Sequence, residues 1–532
     1  MNLDMKKYIT IVCSLVLLSA CTGQLDVTPN DPDVILVDDF YTTPESYKQG
    51  LAGVYGNLSL TGPSGPGSSS IQGLDAGTSQ YGRGLWNLNE LASDGAVWSW
   101  ENDPGLRSLN RNTWSATNPI LRGMFGRLMN SVSYANEYLR QTTDGALNDR
   151  GVDDATRADI QVYRAEARFL RAMAYYNMMD LFGQAPMITE DDPVGAYQAP
   201  KADRAELFAY VESELLAILP EMAEPLMNEY ARADKAAAWM LLAKIYLNAE
   251  VYIGQDRYAD CLSYCEDIIA AGFELTPDYL MNFMADNDET VARNEIIFPV
   301  VSDGITTQNY GPTTVMINGQ VGSTEANGGD FGVAAGGWGG ALRVTQQFSE
   351  VFMNGSYGTD DRNTLITADR TIEVSDIADR STGYIIGKWS NKTSGGANGS
   401  ANEIVDTDFP MFRLADVYLM YAEAHLRGGG GSATTAVGYI NDLRTRANNP
   451  NTIGQSALTL DLILDERQVE LHWEAHRRQD LIRFGKYTGS AYNWSWKGNA
   501  PNGIPLGAHM AIYPIPEASL AANPNLTQNP GY

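Results

Sequence analysis

The chain is short of cations, of histidine and of cysteine, and each shortage closes off a class of function. Its 532 residues carry 37 Lys and Arg against 65 Asp and Glu, a formal net charge of −28. A phosphate backbone needs a cationic footprint, so nucleic-acid binding is excluded, and anionic polymers are poor ligands for the same reason. A neutral ligand stays open. Only four histidines are present. Two of them, His472 and His476, stand at i, i+4 in His472-Trp473-Glu474-Ala475-His476, which helical periodicity places on one face. The zinc-protease signature instead has glutamate directly after the first histidine and needs a third ligand, so these read as ordinary helix residues. No G-x-S-x-G, P-loop or dinucleotide fingerprint occurs. Of four cysteines, Cys13 and Cys21 lie at the N-terminus; Cys261 and Cys265, also at i, i+4, suit neither a disulfide framework nor a four-ligand zinc site. They read as small core residues.

A long apolar run is missing too. The longest, Ile9–Leu18, is too short to cross a bilayer as a helix. It follows the basic pair Lys6-Lys7 and runs into Leu18-Ser19-Ala20-Cys21, the layout of a secretion signal. A cysteine directly after Leu-Ser-Ala resembles a bacterial lipobox. Residues 1–20 are therefore expected to be a lipoprotein signal peptide, cleaved so that the thiol and amine of Cys21 become acylated and several chains hold the protein at a membrane. Gln24–Asp39, polar and carrying Pro29 and Pro32, reads as the tether.

What remains is globular: 44% hydrophobic and 10% aromatic residues, on a length that alone allows two to four domains. Most of it reads as helix. Thr43-Pro44-Glu45 supplies an N-cap, a first-turn proline and a first-turn acid for a helix to about Leu58. Ile160, Tyr163, Ala167, Leu170, Ala174, Met178 and Leu181 form a stripe at spacings of three and four, stopped by Gly183. Asp203 and Glu206 make a capping box for a helix to about Leu219. Ala236–Ala249 and Tyr258–Ala271 form a pair, and Trp239, Leu242, Ala243 and Tyr246 match the spacing of a tetratricopeptide helix. Phe412–Leu426 and Ala436–Ala447 make a second pair, and one long helix is expected from Thr459 to Gly485.

Between these pairs the pattern changes. Ile296–Val301 reads as strand, and Asn318–Gly340 is mostly glycine, asparagine and small residues, ending in Gly336-Gly337-Trp338-Gly339-Gly340. Earlier, Val97–Trp114 holds three of the chain's ten tryptophans with no helical period to bury them on one face. Long irregular loops on a rigid frame are where function concentrates. Near these tryptophans, Glu90, Asp94, Glu101 and Asp103 could supply an acid and a nucleophile for glycoside hydrolysis, although neighbouring carboxylates are common in so acidic a chain. Asp286-Asn287-Asp288-Glu289 and Asp406-Thr407-Asp408 offer hard oxygen donors of the kind calcium takes, without EF-hand spacing. From residues alone, solvated turns and helix caps account for them as well.

Several stretches together carry a family likeness. They are the lipobox, Phe409-Pro410-Met411-Phe412-Arg413 through Ala424, and Glu466-Arg467 through Gly485. Together, and with Leu181-Phe182-Gly183, Arg232–Ala237 and Tyr513–Pro516 falling in the expected order, they resemble the SusD/RagB family of surface glycan-binding lipoproteins, which partner a SusC-like TonB-dependent outer-membrane transporter. The resemblance implies a mostly α fold of tetratricopeptide-like helical pairs framing a loop-rich ligand-binding region. Residues 21–532 would be one glycan-binding domain, with a helical scaffold at about 118–285 and 409–486 and binding loops at about 75–114 and 290–402. It also implies a non-catalytic protein, lipid-anchored in the outer membrane and facing the cell exterior.

Within the family, Asn89-Glu90-Leu91, Trp98-Ser99-Trp100, Met284–Glu289, Asn309-Tyr310-Gly311 and Gly337-Trp338 resemble the loops of its starch-binding member. That resemblance implies an aromatic arc for α-1,4-glucan (starch and maltooligosaccharides) at Trp100, Tyr310 and Trp338, with Trp98 beside it. Polar contacts would fall on Asp75, Arg83 and the Asn102-Asp103 step, where the match is locally broken. A structural calcium at Asp288, Asp406 and Asp408 is implied by the same likeness, and no cofactor is required. The residue types suit the task. A glucose face of C–H groups stacks on indole or phenol, and the hydroxyl rim needs donors and acceptors to replace lost water. Three alternatives stand beside this: a hydrolase using the carboxylates above, a binder of a different polysaccharide, and a helical-repeat adaptor whose tryptophans bind protein.

Overall fold

The computed structural model describes residues 37–322 and 326–532. The signal peptide, Cys21 and most of the expected tether lie outside the described residues. The chain divides into two compact units, Met1–Gln49 and Gly50–Tyr532. In the first, a short helix Val37–Phe40 precedes the start of the helix Pro44–Ser59, which runs on into the second. The expected N-cap is in place: the Thr43 hydroxyl accepts from the Ser46 amide at 3.3 Å.

The second unit is mostly α. The stripe that stops at Gly183 belongs to a 29-residue helix, Asp154–Phe182, capped by Asp153 and ended by Gly183 in the left-handed conformation at φ 68°. The capping box of Asp203 and Glu206 opens Arg204–Ile218. The helices then pack in pairs: Pro119–Gln141 on Asp154–Phe182, that helix on Arg204–Ile218, and Lys235–Leu247 on Tyr258–Ala270. Leu414–Leu426 packs on Tyr258–Ala270 and on its own partner Ala433–Arg446. Leu242, Ala243 and Tyr246 of the tetratricopeptide-like helix are buried, as are the free thiols Cys261 and Cys265.

Two expectations change. The helix expected from Phe412 begins at Leu414, and Phe409–Arg413 before it is a strand that pairs antiparallel with Ile296–Val300. The side chain of its last residue explains the anchorage. Arg413, buried, donates to Glu295, Glu470 and Glu474 at 2.6–2.8 Å, so three carboxylates from two distant segments close on one guanidinium.

The long helix expected from Thr459 to Gly485 is broken into Leu460–Leu471 and Arg477–Arg483. Trp473 and Ala475 have φ of 61° and 65°, which no α-helix tolerates. Tertiary contacts explain the break: Trp473 meets Trp86 edge to face at 5.7 Å, and its Nε1 donates to the Gly95 carbonyl at 2.9 Å. His472 and His476 therefore do not share a helical face. Burial pushes both imidazoles below the ordinary range, His476 to about 3, so they are neutral residues of the core.

Candidate functional site

The Trp-rich stretch is positioned by a short ladder. Val97-Trp98 pairs antiparallel with Leu342-Arg343, and the Ser99 amide extends the pairing to the Ala341 carbonyl. The Asn110 side chain clasps the strand from the other edge, accepting from Trp98 N at 3.1 Å and donating to Trp98 O at 2.8 Å. This register lays the Gly336–Gly340 loop beside Trp100. Gly337, at φ 40°, is needed there, because a Cβ would sit 2.6 Å from Val321 and 2.9 Å from the Asn318 carbonyl. The same carbonyl accepts from Trp338 N. Asn318 belongs to the helix Pro312–Gln320, and Tyr310 stands two residues before its start. One helix thus ties Tyr310 to Trp338.

Around these elements lies a cleft of about 400 Å³, lined by Asp75, Arg83, Asn87, Asp103, Trp100, Tyr310 and Trp338 among others. Three segments far apart in sequence supply the aromatic rings. Trp100 and Trp338 have ring centroids 5.3 Å apart with planes inclined at 39°. Both are half-buried and packed against the main core. Trp98 lies behind them, 0% exposed, 5.5 Å from Trp100 and 6.3 Å from Trp338. It offers no free ring face to a ligand and instead backs the two that do.

The polar rim is unevenly partnered. Arg83 reaches the cleft over the Trp98 ring, 5.2 Å from its centroid. Desolvation lowers its pKa, opposed by the charges of Asp75 and Asp103, and its buried Nε has no hydrogen-bond partner. Asp75 is held by the amide and hydroxyl of Thr78 at 3.0 and 3.2 Å. Desolvation raises the pKa of Asp103, against the pull of Arg83. The Tyr310 hydroxyl donates to Glu403 at 3.1 Å. Asn102 is exposed and lies in a neighbouring, more open cleft with Glu101 and Arg107, which shares Asp103 and Pro104 with the first.

Three of the four carboxylates considered for hydrolysis are outside the cleft. Asp94 is buried in a bidentate pair with Arg477 at 2.7 Å, and Glu90 is buried beside it. Glu101 pairs bidentately with Arg111 at 2.6 and 2.7 Å. Only Asp103, with Asp75, faces the cavity.

The charges of Asp288 and Asp406 both act to raise the pKa of Asp408. Burial contributes most to that rise, which takes Asp408 to about 8. Each carboxylate oxygen of Asp408 already accepts a hydrogen bond, from Ser302 N at 2.7 Å and Tyr230 OH at 2.9 Å. Among the described residues no three His, Cys, Asp or Glu side chains converge to hold a metal.

Asn87 lines the cleft and carried no signal in the sequence. It stands where the helix Tyr81–Trp86 widens into the π-turn Asn87–Leu91, a change of geometry that periodicity does not reveal. Trp114 is a packing residue, 4.8 Å from the Tyr513 ring and donating to Tyr532.

Helical pairs carrying an aromatic cleft on their loops define the class of fold to which this chain is similar. The chain belongs to the SusD/RagB family: residues 361–532 match the SusD family profile, and the similarity to a curated member extends over nearly the whole length. That relative is the starch-binding protein SusD of Bacteroides thetaiotaomicron, 33% identical over 97% of this chain and 96% of its own. SusD-like protein P25 of Formosa agariphila is 25% identical over 98% of each. Among solved structures, a laminarin-binding SusD-like protein superposes with a TM-score of 0.69, at 21% identity, over 92% of this chain and 100% of its own. Surface glycan-binding protein A of B. thetaiotaomicron, in complex with laminarihexaose, gives 0.67 at 21% identity over 91% and 99%.

Proposed function

We propose that this protein binds starch and maltooligosaccharides at the cell surface without cleaving them, and hands them to a TonB-dependent outer-membrane transporter. The observation that carries the reading is the pair of inclined indole faces, Trp100 and Trp338, at the mouth of a cleft whose rim holds Arg83, Asp75 and Asp103. Two planes at 39° suit a chain that curves, as an α-1,4-glucan does, better than a flat ribbon. Similarity over the whole chain to a starch-binding relative supports the choice of glycan. Anchorage through acylated Cys21 would place the cleft outside the cell.

Affinity gels with amylose, pullulan, dextran, levan and laminarin test it. Retention by the first two alone is expected. Retention by laminarin alone would move the ligand to a β-1,3-glucan, the reading suggested by the laminarin-binding structural neighbours. Incubation with maltoheptaose is expected to leave the oligosaccharide intact, and steady shortening would overturn the non-catalytic assignment. Cys21→Ala is expected to release the protein from the membrane fraction.

A further inference from the structure

A second depression, of about 390 Å³, adjoins the aromatic cleft. The two share Asp103 and Pro104, so a chain that leaves the cleft across these residues enters the second. Its lining holds no aromatic ring; beyond the shared pair it includes Glu101, Asn102, Arg107, Arg111, Thr113 and Asn499. The walls are fixed by the fold. Gly105, at φ 88°, opens the helix Leu106–Asn110, where a Cβ would stand 2.9 Å from Asn118 Oδ1. Asn118 caps the 23-residue helix Pro119–Gln141, and its amide donates to Gly105 O at 3.1 Å and Ser108 Oγ at 2.8 Å. Arg111, buried, lies over the Trp496 ring at 4.5 Å and donates to Asn499 at 2.8 Å. A groove held this way loses little freedom when a ligand enters it.

The two arginines differ in what they have left to give. Arg111 is engaged by Glu101 through two hydrogen bonds. Arg107 Nη1 stands 3.6 Å from the same carboxylate, beyond hydrogen-bond reach, and its side chain is 64% exposed. A guanidinium carries five N–H donors, so Arg107 faces solvent with donors to share. Charge narrows the ligand class. Two guanidiniums, Arg107 and Arg111, stand against two carboxylates, Glu101 and Asp103, and the formal charges of the lining cancel. Such a groove suits a neutral polyhydroxyl chain and offers no excess of cation to a sulfated or uronic one.

We propose that this groove is a second glycan subsite, continuous with the aromatic cleft: the same chain passes over Asp103 and Pro104 and its hydroxyls accept from Arg107. The proposal rests on the cleft being a glycan site, but not on which glycan. Stacking fixes sugar rings in the cleft, and hydrogen bonds hold the continuing chain in the groove. Preference for longer chains then belongs to the groove.

Calorimetric titration with a short and a long oligosaccharide tests it, using maltotriose and maltoheptaose on the reading above and laminaritriose and laminarihexaose otherwise. The short ligand is read by competition against the long one, and thermal unfolding is recorded for each variant. The native protein is expected to bind the longer chain more tightly. Arg107→Ala is expected to lower the long-to-short affinity ratio about fivefold, through the long ligand alone, with Tm within a few degrees because the side chain is exposed. Trp338→Ala, in the aromatic cleft, is expected to weaken both lengths. A ratio in Arg107→Ala within about twofold of the native one would overturn the proposal, whether binding is unchanged or falls equally for both lengths. Either result leaves the starch reading standing. Binding of the laminarin series alone would overturn that reading and leave the groove to be judged on laminarihexaose. Retention of no glycan would overturn both.

Discussion

The Trp98 indole lies nearly parallel to that of Trp338, ring centroids 6.3 Å apart and planes 19° from each other, with no solvent access of its own. Two tryptophans separated by one residue in sequence thereby take different work: Trp98 supports, Trp100 is presented. Truncating them should separate the two. Trp98→Ala leaves a cavity under both presented rings and is expected to cost about 3–5 kcal/mol of stability. Trp100→Ala and Trp338→Ala remove half-buried faces and are expected to weaken amylose binding at least about tenfold with a much smaller loss of stability. Denaturant titration beside affinity gels reads both, and a Trp98→Ala protein of native stability would contradict the division.

Gly77 sets the reach of Arg83. A Cβ there would stand 2.1 Å from the guanidinium Nη1 and 3.3 Å from Asp75 Oδ2. The guanidinium is the far end of a flexible side chain, so it can move aside without disturbing the backbone, but it then leaves the cleft. Gly77→Ala is expected to lower affinity for maltoheptaose about tenfold while leaving Tm within a few degrees. Native affinity in this variant would show that Arg83 is not needed where it stands.

The helical frame was legible because its signals are local. Capping at Thr43 and Asp203, the stop at Gly183 and the stripe from Ile160 to Leu181 all depend on residues within a few positions of one another. The break after Leu471 was not, because nothing within His472–His476 forbids a helix; Trp86 and Gly95, nearly four hundred residues earlier, impose it. The stretches that hold Trp100 and Trp338 were legible because their composition is unusual, whereas Tyr310 was expected only through the family resemblance. Period-two alternation gives Trp98 and Trp100 the same face, so only the packing of Trp338 distinguishes them. Asn87 was invisible because a π-turn has no sequence period of its own.

That break holds Ala475, with a Cβ, in the left-handed region at φ 65°. Such a conformation costs an L-residue about 1–2 kcal/mol, and glycine adopts it freely. Ala475→Gly is expected to be neutral or to stabilise by up to about 1 kcal/mol, the lost methyl burial offsetting part of the relief. Chemical denaturation measures it. A destabilisation beyond about 1 kcal/mol would mean the methyl packing outweighs the strain.

Glu90, behind the cleft, gives stability a pH dependence with a definite sign. Burial, with the neighbouring Asp94 charge, pushes its carboxyl up to about 8, against the opposing amides of His476 and Arg477 and the Arg477 charge. The ordinary value for glutamate is 4.5. Between these two values the folded protein keeps a proton that the unfolded chain has already lost. The native state therefore binds more protons than the unfolded one, and this group's contribution, complete below about 4.5, falls as pH rises and is gone above about 8. Glutamine keeps the oxygen that accepts the two amides and cannot ionise. Glu90→Gln is expected to show a shallower decline in unfolding free energy from pH 5 to pH 8.5 than the native protein, and to be the more stable of the two at the upper end. Urea titrations at the two pH values supply the comparison. Parallel declines in both proteins would place the ionisation elsewhere, and a steeper decline in the variant would reverse the assignment.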